Sequence, residues 1–238
     1  MNVFITGVSS GIGNGLARAY LQRGYRVFGC SRRSPDELLA QKDFRFAQLD
    51  VTDEAEVPLT LTRLLADVDS LDLVILNAGI LGPFGDLATI PLEQCRRVME
   101  VNVWSNKTVL DALFSSHQTV RQVVTVSSGA AVNGNRGWAG YAISKAALNM
   151  LTRLYAEERP ETHFCALAPG IVDTAMQDIL CAVPEVDRYP SLATLRAKRS
   201  TAEMPDPDGA AVSLVAAIER LPRIVTSGDY ADVRRLSE

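Results

Sequence analysis

Tyr141 and Lys145 lie four residues apart in a stretch whose pattern predicts a helix, so both side chains project from one face. A tyrosine at its ordinary pKa near 10 is a poor acid or base at neutral pH. A neighbouring ammonium favours the phenolate, so the pair predicts a tyrosine tuned toward the range useful for proton transfer. The same spacing also arises by chance as a surface pair, and the rest of the chain must decide. Ser128, 13 residues before Tyr141, and Ser127 beside it offer hydroxyls on the loop after an apolar run, Gln122–Val126.

A second group of residues suits phosphate. Thr6-Gly7-Val8-Ser9-Ser10-Gly11-Ile12-Gly13 follows the first strand-like run and opens the first helical pattern. Glycines at such a junction allow a tight turn, let the backbone approach a pyrophosphate and aim helix N–H groups at it. Alone the run could be a structural turn; its strand-then-helix setting is the context the motif requires.

The elements that must hold these residues alternate from end to end. Val3–Thr6, Arg26–Cys30, Arg45–Leu49, Leu73–Leu76, Gln122–Val126 and Phe164–Leu167 read as strands, mostly continuous apolar runs. Gly11–Arg23, Glu54–Ala66, Leu92–Phe114, Gly140–Glu158 and Pro207–Arg220 read as helices. That rhythm predicts an α/β fold, a Rossmann-like doubly wound parallel sheet with helices on both faces. With no repeat or composition break, residues 1–238 are expected to form a single domain. The stretch 174–205, with Pro184, Pro190 and Pro205, interrupts the rhythm after the sixth strand, where a small substrate lid would sit. A surface helix pair is the alternative.

Bulk properties narrow the class. Of 238 residues, 47% are apolar and 22% charged, ordinary for a globular core. The net charge of -4 argues against a nucleic-acid partner. No apolar run reaches the roughly 18 residues that span a bilayer, so no membrane partner is expected. Met1-Asn2-Val3-Phe4-Ile5 lacks the basic start of a signal peptide, and a cytoplasmic location is the expectation. Cys30, Cys95, Cys165 and Cys181 form no C-x-x-C pair and read as reduced thiols. Only His117 and His163 could join them, nothing stands at ligand spacing, and no metal is expected.

Taken in order, the motifs resemble the short-chain dehydrogenase/reductase family. Its T-G-x-x-x-G-x-G turn matches Thr6–Gly13. Asp50-Val51 follows the third strand, where the family holds the adenine, and Asn77-Ala78-Gly79 follows the fourth, where the family has N-A-G beside the cofactor. Asn102, Ser128 and Tyr141-Ala142-Ile143-Ser144-Lys145 come next. Pro169-Gly170-Ile171-Val172-Asp173-Thr174 matches the P-G-x-x-x-T laid against the nicotinamide. The resemblance covers Thr6 to Thr174.

It implies a nicotinamide dinucleotide and a small-molecule carbonyl substrate. Tyr141 would protonate the reduced oxygen, and Lys145 would hold the ribose and tune Tyr141. Ser128 would orient the carbonyl, with Ser127 fitting the family spacing less well, and Asn102 would position a water leading to Lys145. Cofactor contacts are expected at Thr6, Gly7, Ser9, Ser10, Gly11, Ile12, Gly13, Asp50, Val51, Asn77, Ala78, Gly79, Pro169, Gly170, Val172 and Thr174. The second strand ends Ser31-Arg32-Arg33, without the acid that would bind a free ribose 2′-hydroxyl. Two arginines there suit a 2′-phosphate, so NADP(H) is expected, against the alternative of solvated surface arginines.

Within the family, Ser127–Ala131, Gly137–Tyr141 and Pro169–Gln177 look like the sepiapterin reductase and benzil reductase branch. Substrate contacts are expected at Trp138, Met176 and Asp232, the last as a possible pterin anchor in Ser227-Gly228-Asp229-Tyr230-Ala231-Asp232. Packing for Trp138 and a solvated carboxylate for Asp232 are the alternatives. Family members of this type pair through the helices carrying Asn102 and Tyr141, which implies a homodimer. An oxidative secondary-alcohol dehydrogenase and a non-catalytic NADP(H) sensor remain as other readings.

Overall fold

Apolar runs separated by amphipathic stretches are satisfied when strands are buried between two helical layers. The computed structural model describes residues 1–115, 119–184 and 186–236 and has this arrangement. The first half runs β1 (Asn2–Thr6), α1 (Gly11–Gln22), β2 (Arg26–Ser31), α2 (Asp36–Leu39), β3 (Phe44–Gln48), α3 (Glu56–Leu64), β4 (Ser70–Leu71), β5 (Leu73–Leu76), α4 (Leu92–Met99) and α5 (Ser105–Ser115). The second runs β6 (Thr119–Val120), β7 (Gln122–Val126), α6 (Ala130–Asn133), α7 (Ala139–Glu158), β8 (His163–Ala168), α8 (Ala175–Cys181), α9 (Pro190–Lys198), α10 (Pro207–Ile224) and β9 (Tyr230–Asp232).

Seven strands form one parallel sheet in the order β3-β2-β1-β5-β7-β8-β9, while β4 and β6 form a separate short pair. The chain winds outward from β1 to β3 and then crosses back to β5, so the winding direction reverses between β1 and β5. Such a switch point leaves a crevice at the carboxyl ends of the strands. Register follows from the period of two. Phe4, Phe28, Val74, Val123 and Phe164 face a core closed by α3, α5 and α7. Their neighbours Val3, Val27, Ile75, Val124 and Cys165 face a second core closed by α1 and α10.

Three elements differ from the sequence expectation. β9 is a seventh strand, paired through Ala166–Tyr230 to Ala168–Asp232, in a segment too short and polar to read as a buried strand. The predicted helix Leu92–Phe114 is not regular: a π-helical turn, Glu100–Trp104, separates α4 from α5. The stretch 174–205 is largely helical, with α8 and α9 joined by a 3₁₀ turn at Val186–Arg188. Its apolar residues Leu180, Tyr189, Leu192 and Leu195 pack as a third core against Leu81 and Tyr141.

α1 approaches α10 closely because Gly15 has no side chain. A Cβ there would stand 2.4 Å from the Pro207 carbonyl oxygen. Gly15→Ala ordinarily favours a helix by about 1 kcal/mol. Here it is expected instead to destabilise by roughly 1–3 kcal/mol through overpacking, read as a lower urea midpoint. An unchanged or raised midpoint would contradict the packing.

Candidate active site

The strand ends open into a cleft of about 1020 Å³ that runs from the β2–β3 edge to α8 and α9. One half of it is backbone. Gly7 and Gly11 take φ of 76° and 61°, left-handed values that suit glycine, and turn the chain from β1 into α1. Ser10, the N-cap of α1, is extended and makes no side-chain capping bond, and the first turn carries no acid. The N–H groups of that turn are thus left without the usual protein acceptor, as a helix end that receives an anion requires. Ser9, Ser10 and Ile12 line the cleft with Gly7 and Gly11.

Thr6 and Gly13 do not line it, which corrects their expected contact with a cofactor. The Thr6 hydroxyl is buried and accepts from the N–H groups of Asn77 and Ala78, each at 3.0 Å. A Cβ on Gly13 would lie 2.4 Å from both Asn77 Nδ2 and the Gly7 oxygen. Both residues shape the loop from behind.

At the edge of the cleft stand Ser31, Arg32 and Arg33. The buried Ser31 hydroxyl donates to the Arg33 carbonyl at 2.7 Å, and Gln48 Nε2 donates to the Arg32 carbonyl at 2.9 Å. These bonds fix the turn while neither guanidinium makes an ion pair among the described residues. Asp50 and Val51 lie beside them. Burial pushes the Asp50 carboxyl up, but two hydrogen bonds from Thr52, with Arg32 and Arg97 nearby, outweigh it and hold the group below its ordinary range. Asn77, Ala78 and Gly79 form the floor, and Pro169, Gly170, Val172 and Thr174 the opposite wall.

The other half brings Ser128, Trp138, Tyr141, Lys145 and Met176 together. Ser128 lies close enough to Tyr141 to pull its pKa down, and its oxygen accepts from the Ala130 N–H at 3.1 Å. The Ser127 hydroxyl instead donates to Asn149 Oδ1, which separates the two serines by function. Lys145 Nζ, almost wholly buried, donates to the Val126 carbonyl at 2.7 Å and stands 5.7 Å from the centre of the Tyr141 ring. The expected lowering of the tyrosine is absent. Burial raises the Tyr141 pKa, with Ser128 pulling the other way. Burial also lowers Lys145 to about 8, because its ammonium has exchanged water for one carbonyl. The lysine faces the ring and the backbone, so its charge does little for the hydroxyl.

Asn102 lies in the π-helical turn, fully buried and outside the cleft wall. Its Nδ2 donates to the Ile80 carbonyl (2.9 Å) and to Ser144 Oγ (3.0 Å), and its Oδ1 accepts from the Ile80 N–H at 2.8 Å. The side-chain amide is thus committed to protein groups. Ser144 passes the bond on to the Tyr141 carbonyl at 2.7 Å, so Asn102 steadies the turn that carries Tyr141.

Trp138 does two things at once. Its ring meets Tyr141 at 5.9 Å and Phe84 at 5.4 Å, and its Nε1–H donates to Ser191 of α9 at 3.0 Å. It therefore walls the cleft and ties α9 to α7. Asp232 is the clearest correction among the substrate residues. It sits buried on β9, off the cleft wall, and accepts from Arg234 Nε at 2.9 Å, from Arg234 Nη2 and from the Arg234 N–H at 3.0 Å. Its carboxylate is thus engaged by Arg234 and is not part of the cleft wall. Arg234 lines the cleft in its place, a residue the sequence reading missed although it stands two positions away. Gln177 was also missed: its Oε1 is buried with no partner among the described residues, an acceptor facing a cleft that a donor-bearing group would complete. Among the described residues no cluster of His, Cys, Asp or Glu could hold a metal, and no helix is long and apolar enough to cross a membrane. The four cysteines are free thiols. His163 bonds the Val225 carbonyl at 2.9 Å, and His117 lies outside the described residues.

The family model described as short chain dehydrogenase matches residues 1–182. An uncharacterized oxidoreductase of Schizosaccharomyces pombe is 37% identical over 181 residues, 74% of this chain and 72% of its own. A benzil reductase ((S)-benzoin forming) of Bacillus subtilis is 28% identical over 228 residues, covering 91% and 92%. Another, from Saccharomyces cerevisiae, is 31% identical over 191 residues, covering 74% and 73%. The solved structure of the KRED1-Pglu enzyme superposes with a TM-score of 0.86 at 24% identity, over 97% of this chain and all of that one. ElxO with NADP bound superposes at 0.78 and 21%, over 98% and 96%. Identities this low speak to the fold.

Lys145 yields a stability prediction. A lysine whose pKa is depressed on folding penalises the fold while charged, and the unfolded chain binds the extra proton from about pH 8 upward. This group's contribution to stability should therefore rise as pH climbs through 8 toward its ordinary value. Lys145→Met should remove that slope and stabilise the protein at pH 7 by on the order of 2–3 kcal/mol in urea unfolding. A destabilised variant with the slope intact would contradict the buried ammonium.

Proposed function

The chain belongs to the short chain dehydrogenases, oxidoreductases that use a nicotinamide cofactor, and on that premise we propose that it is an NADPH-dependent carbonyl reductase acting on partly aromatic ketones or vicinal dicarbonyls. The observation that carries the reading is Tyr141, buried, beside Ser128 and adjacent to Lys145 at one end of the cleft. Its other end, with the uncapped α1 terminus and the unpaired Arg32 and Arg33, suits a dinucleotide with a 2′-phosphate. When bound, NADPH supplies hydride to the carbonyl carbon.

The chain's residues do the rest. Ser128 donates to the carbonyl oxygen and fixes its place against the Tyr141 hydroxyl. Tyr141 then gives its proton to that oxygen as negative charge develops there. Burial keeps Tyr141 protonated well into alkaline pH, which favours its use as an acid in reduction. Lys145, held by the Val126 carbonyl, would bind the nicotinamide ribose. Residues 174–205 act as the lid, and Trp138 and Met176 contribute apolar walls. The benzil reductases among the relatives support a diketone substrate. The engagement of Asp232 by Arg234 removes the support for a pterin.

We also read the enzyme as a homodimer through α4, α5 and α7. Ile143, Met150 and Leu154 are exposed on α7, and Trp104 is exposed on the π-helical turn, an apolar surface unusual for a free monomer. Met150→Glu with Leu154→Glu should convert a dimer to a monomer in sedimentation velocity. A wild type that sediments as a monomer would overturn this reading.

Steady-state reduction of benzil with NADPH tests the function. Tyr141→Phe should cut kcat by at least about a hundredfold while NADPH binding, followed by fluorescence, stays close to wild type. Retention of most activity would refute the mechanism, and no turnover of any ketone by the wild type would favour a cofactor sensor. NADPH should exceed NADH in kcat/KM, and Ser31→Asp with Arg32→Ala should reverse much of that preference. Equal use of both cofactors by the wild type would sink the assignment.

A further inference from the structure

The substrate end of the cleft has a charge pattern that the carbonyl-reductase reading leaves unexplained. Arg234 enters the wall from the 3₁₀ turn after β9. The buried carboxylate of Asp232 grips its Nε and Nη2, which fixes the guanidinium plane and leaves Nη1 without a partner among the described residues. A Cβ built on Gly129, the residue after Ser128, would lie 3.5 Å from Arg234 Nη2. One on Gly170 would lie 3.7 Å from its Cγ and Cδ. These distances place the arginine side chain against the loops that carry Gly129 and Gly170, next to Ser128.

Asp50 is the one carboxylate among the described residues of the cleft wall, and it follows β3 at the opposite edge of the sheet. Six strand spacings of about 4.8 Å separate that edge from β9. Asn133 Nδ2 lies beside Arg234 at Gly129, and the other polar residues of this part of the wall, Asn135 and Gln177, are neutral, while Lys198 is paired with Glu203. A guanidine-like or ammonium group on a substrate would find no counter-charge here, whereas an anion would.

We propose that Arg234 is a specificity-determining residue and that the substrate is a ketone carrying a carboxylate next to or near the reducible carbonyl. The proposal rests on the carbonyl-reductase reading and narrows it, since an aromatic 2-oxo acid is a vicinal dicarbonyl whose second carbonyl belongs to a carboxylate. Asp232 acts through Arg234 as a positioning residue, holding the fork so that its free nitrogen faces the cleft. The carboxylate accepts from Arg234, and the ketone oxygen accepts from Ser128 and Tyr141.

Benzoylformate and its neutral methyl ester share the same ketone and differ in the charge. With NADPH, the wild type should favour the acid in kcat/KM, mainly through KM. Arg234→Ala should lower the acid-to-ester ratio by roughly tenfold or more, as expected for loss of a charge-assisted hydrogen bond. Arg234→Lys should restore part of the ratio. Because Arg234→Ala leaves Asp232 buried without its partner, the double variant Asp232→Asn, Arg234→Ala is measured in parallel and should show the same fall. A wild type that reduces the ester but not the acid overturns the proposal and leaves the reductase reading standing. So does a ratio that Arg234→Ala leaves unchanged. If acid, ester and benzil are all untouched, both fall.

Discussion

Where β1 and β5 end, the Thr6 hydroxyl accepts hydrogen bonds from the N–H groups of Asn77 and Ala78, while Asn77 returns its amide to the carbonyls of Thr6 and Gly7. This knot lies at the point where the sheet reverses its winding. In an open parallel sheet that is where strand ends diverge and backbone groups lose their ladder partners. Without side-chain partners the buried donors would each cost about 1–3 kcal/mol. With them, the glycine turn is held at fixed distance from the floor of the cleft, and Gly13 has no room for even a Cβ. The glycine loop, the uncapped helix end and the opposite wall are all positioned from there.

The reacting end obeys a second constraint, the scarcity of water. Tyr141 and Lys145 are both buried, and burial disfavours whichever form is charged. It therefore moves the tyrosine up and the lysine down, away from the proton exchange that spacing alone suggests. The outcome is a neutral phenol beside a weakly held ammonium, an arrangement suited to giving a proton rather than taking one. The surrounding bonds are structural: Asn102 to Ile80 and Ser144, Ser144 to Tyr141, Ser127 to Asn149. They restrict the geometry of the site more than they alter its charge.

The segment 174–205 is fastened by aromatic and charged contacts at one rim. Phe84 meets Tyr189 at 5.0 Å and Trp138 at 5.4 Å. Asp86 receives both Arg136 and Arg188, the latter from that segment, and the Arg136 hydrogen bonds hold its carboxyl down at about 2. The apolar residues of 174–205 are consequently spent on the third core, with Leu180 and Leu192 fully buried. Met176, Gln177, Ile179 and Lys198 are among those that face the cleft, and Leu180 and Leu195 contribute to both the core and the cleft wall.

The sequence by itself determined the alternation of strands and helices, the parallel sheet and the order of the motifs. Glycine turns, apolar runs and Tyr-x-x-x-Lys are local patterns, and local backbone sterics and burial period produce them directly. It also brought forward Tyr141 and Lys145, because spacing along one helix predicts which side chains share a face, while Ser128 and the arginines after β2 stood out through the resemblance of their motifs to the family. Only the tertiary structure decided direction and environment. Thr6 and Gly13 belong to a glycine-rich motif, yet they pack behind the loop rather than line the cleft. Asp232 has the right residue type, but Arg234, two positions on, occupies its carboxylate and takes the cleft for itself. Whether Lys145 would lower Tyr141 depended on how much water each had lost and which atom the ammonium faced. Such facts arise from contacts between residues as far apart as Asn102 and Ser144 or Lys145 and Val126, and no local pattern encodes them.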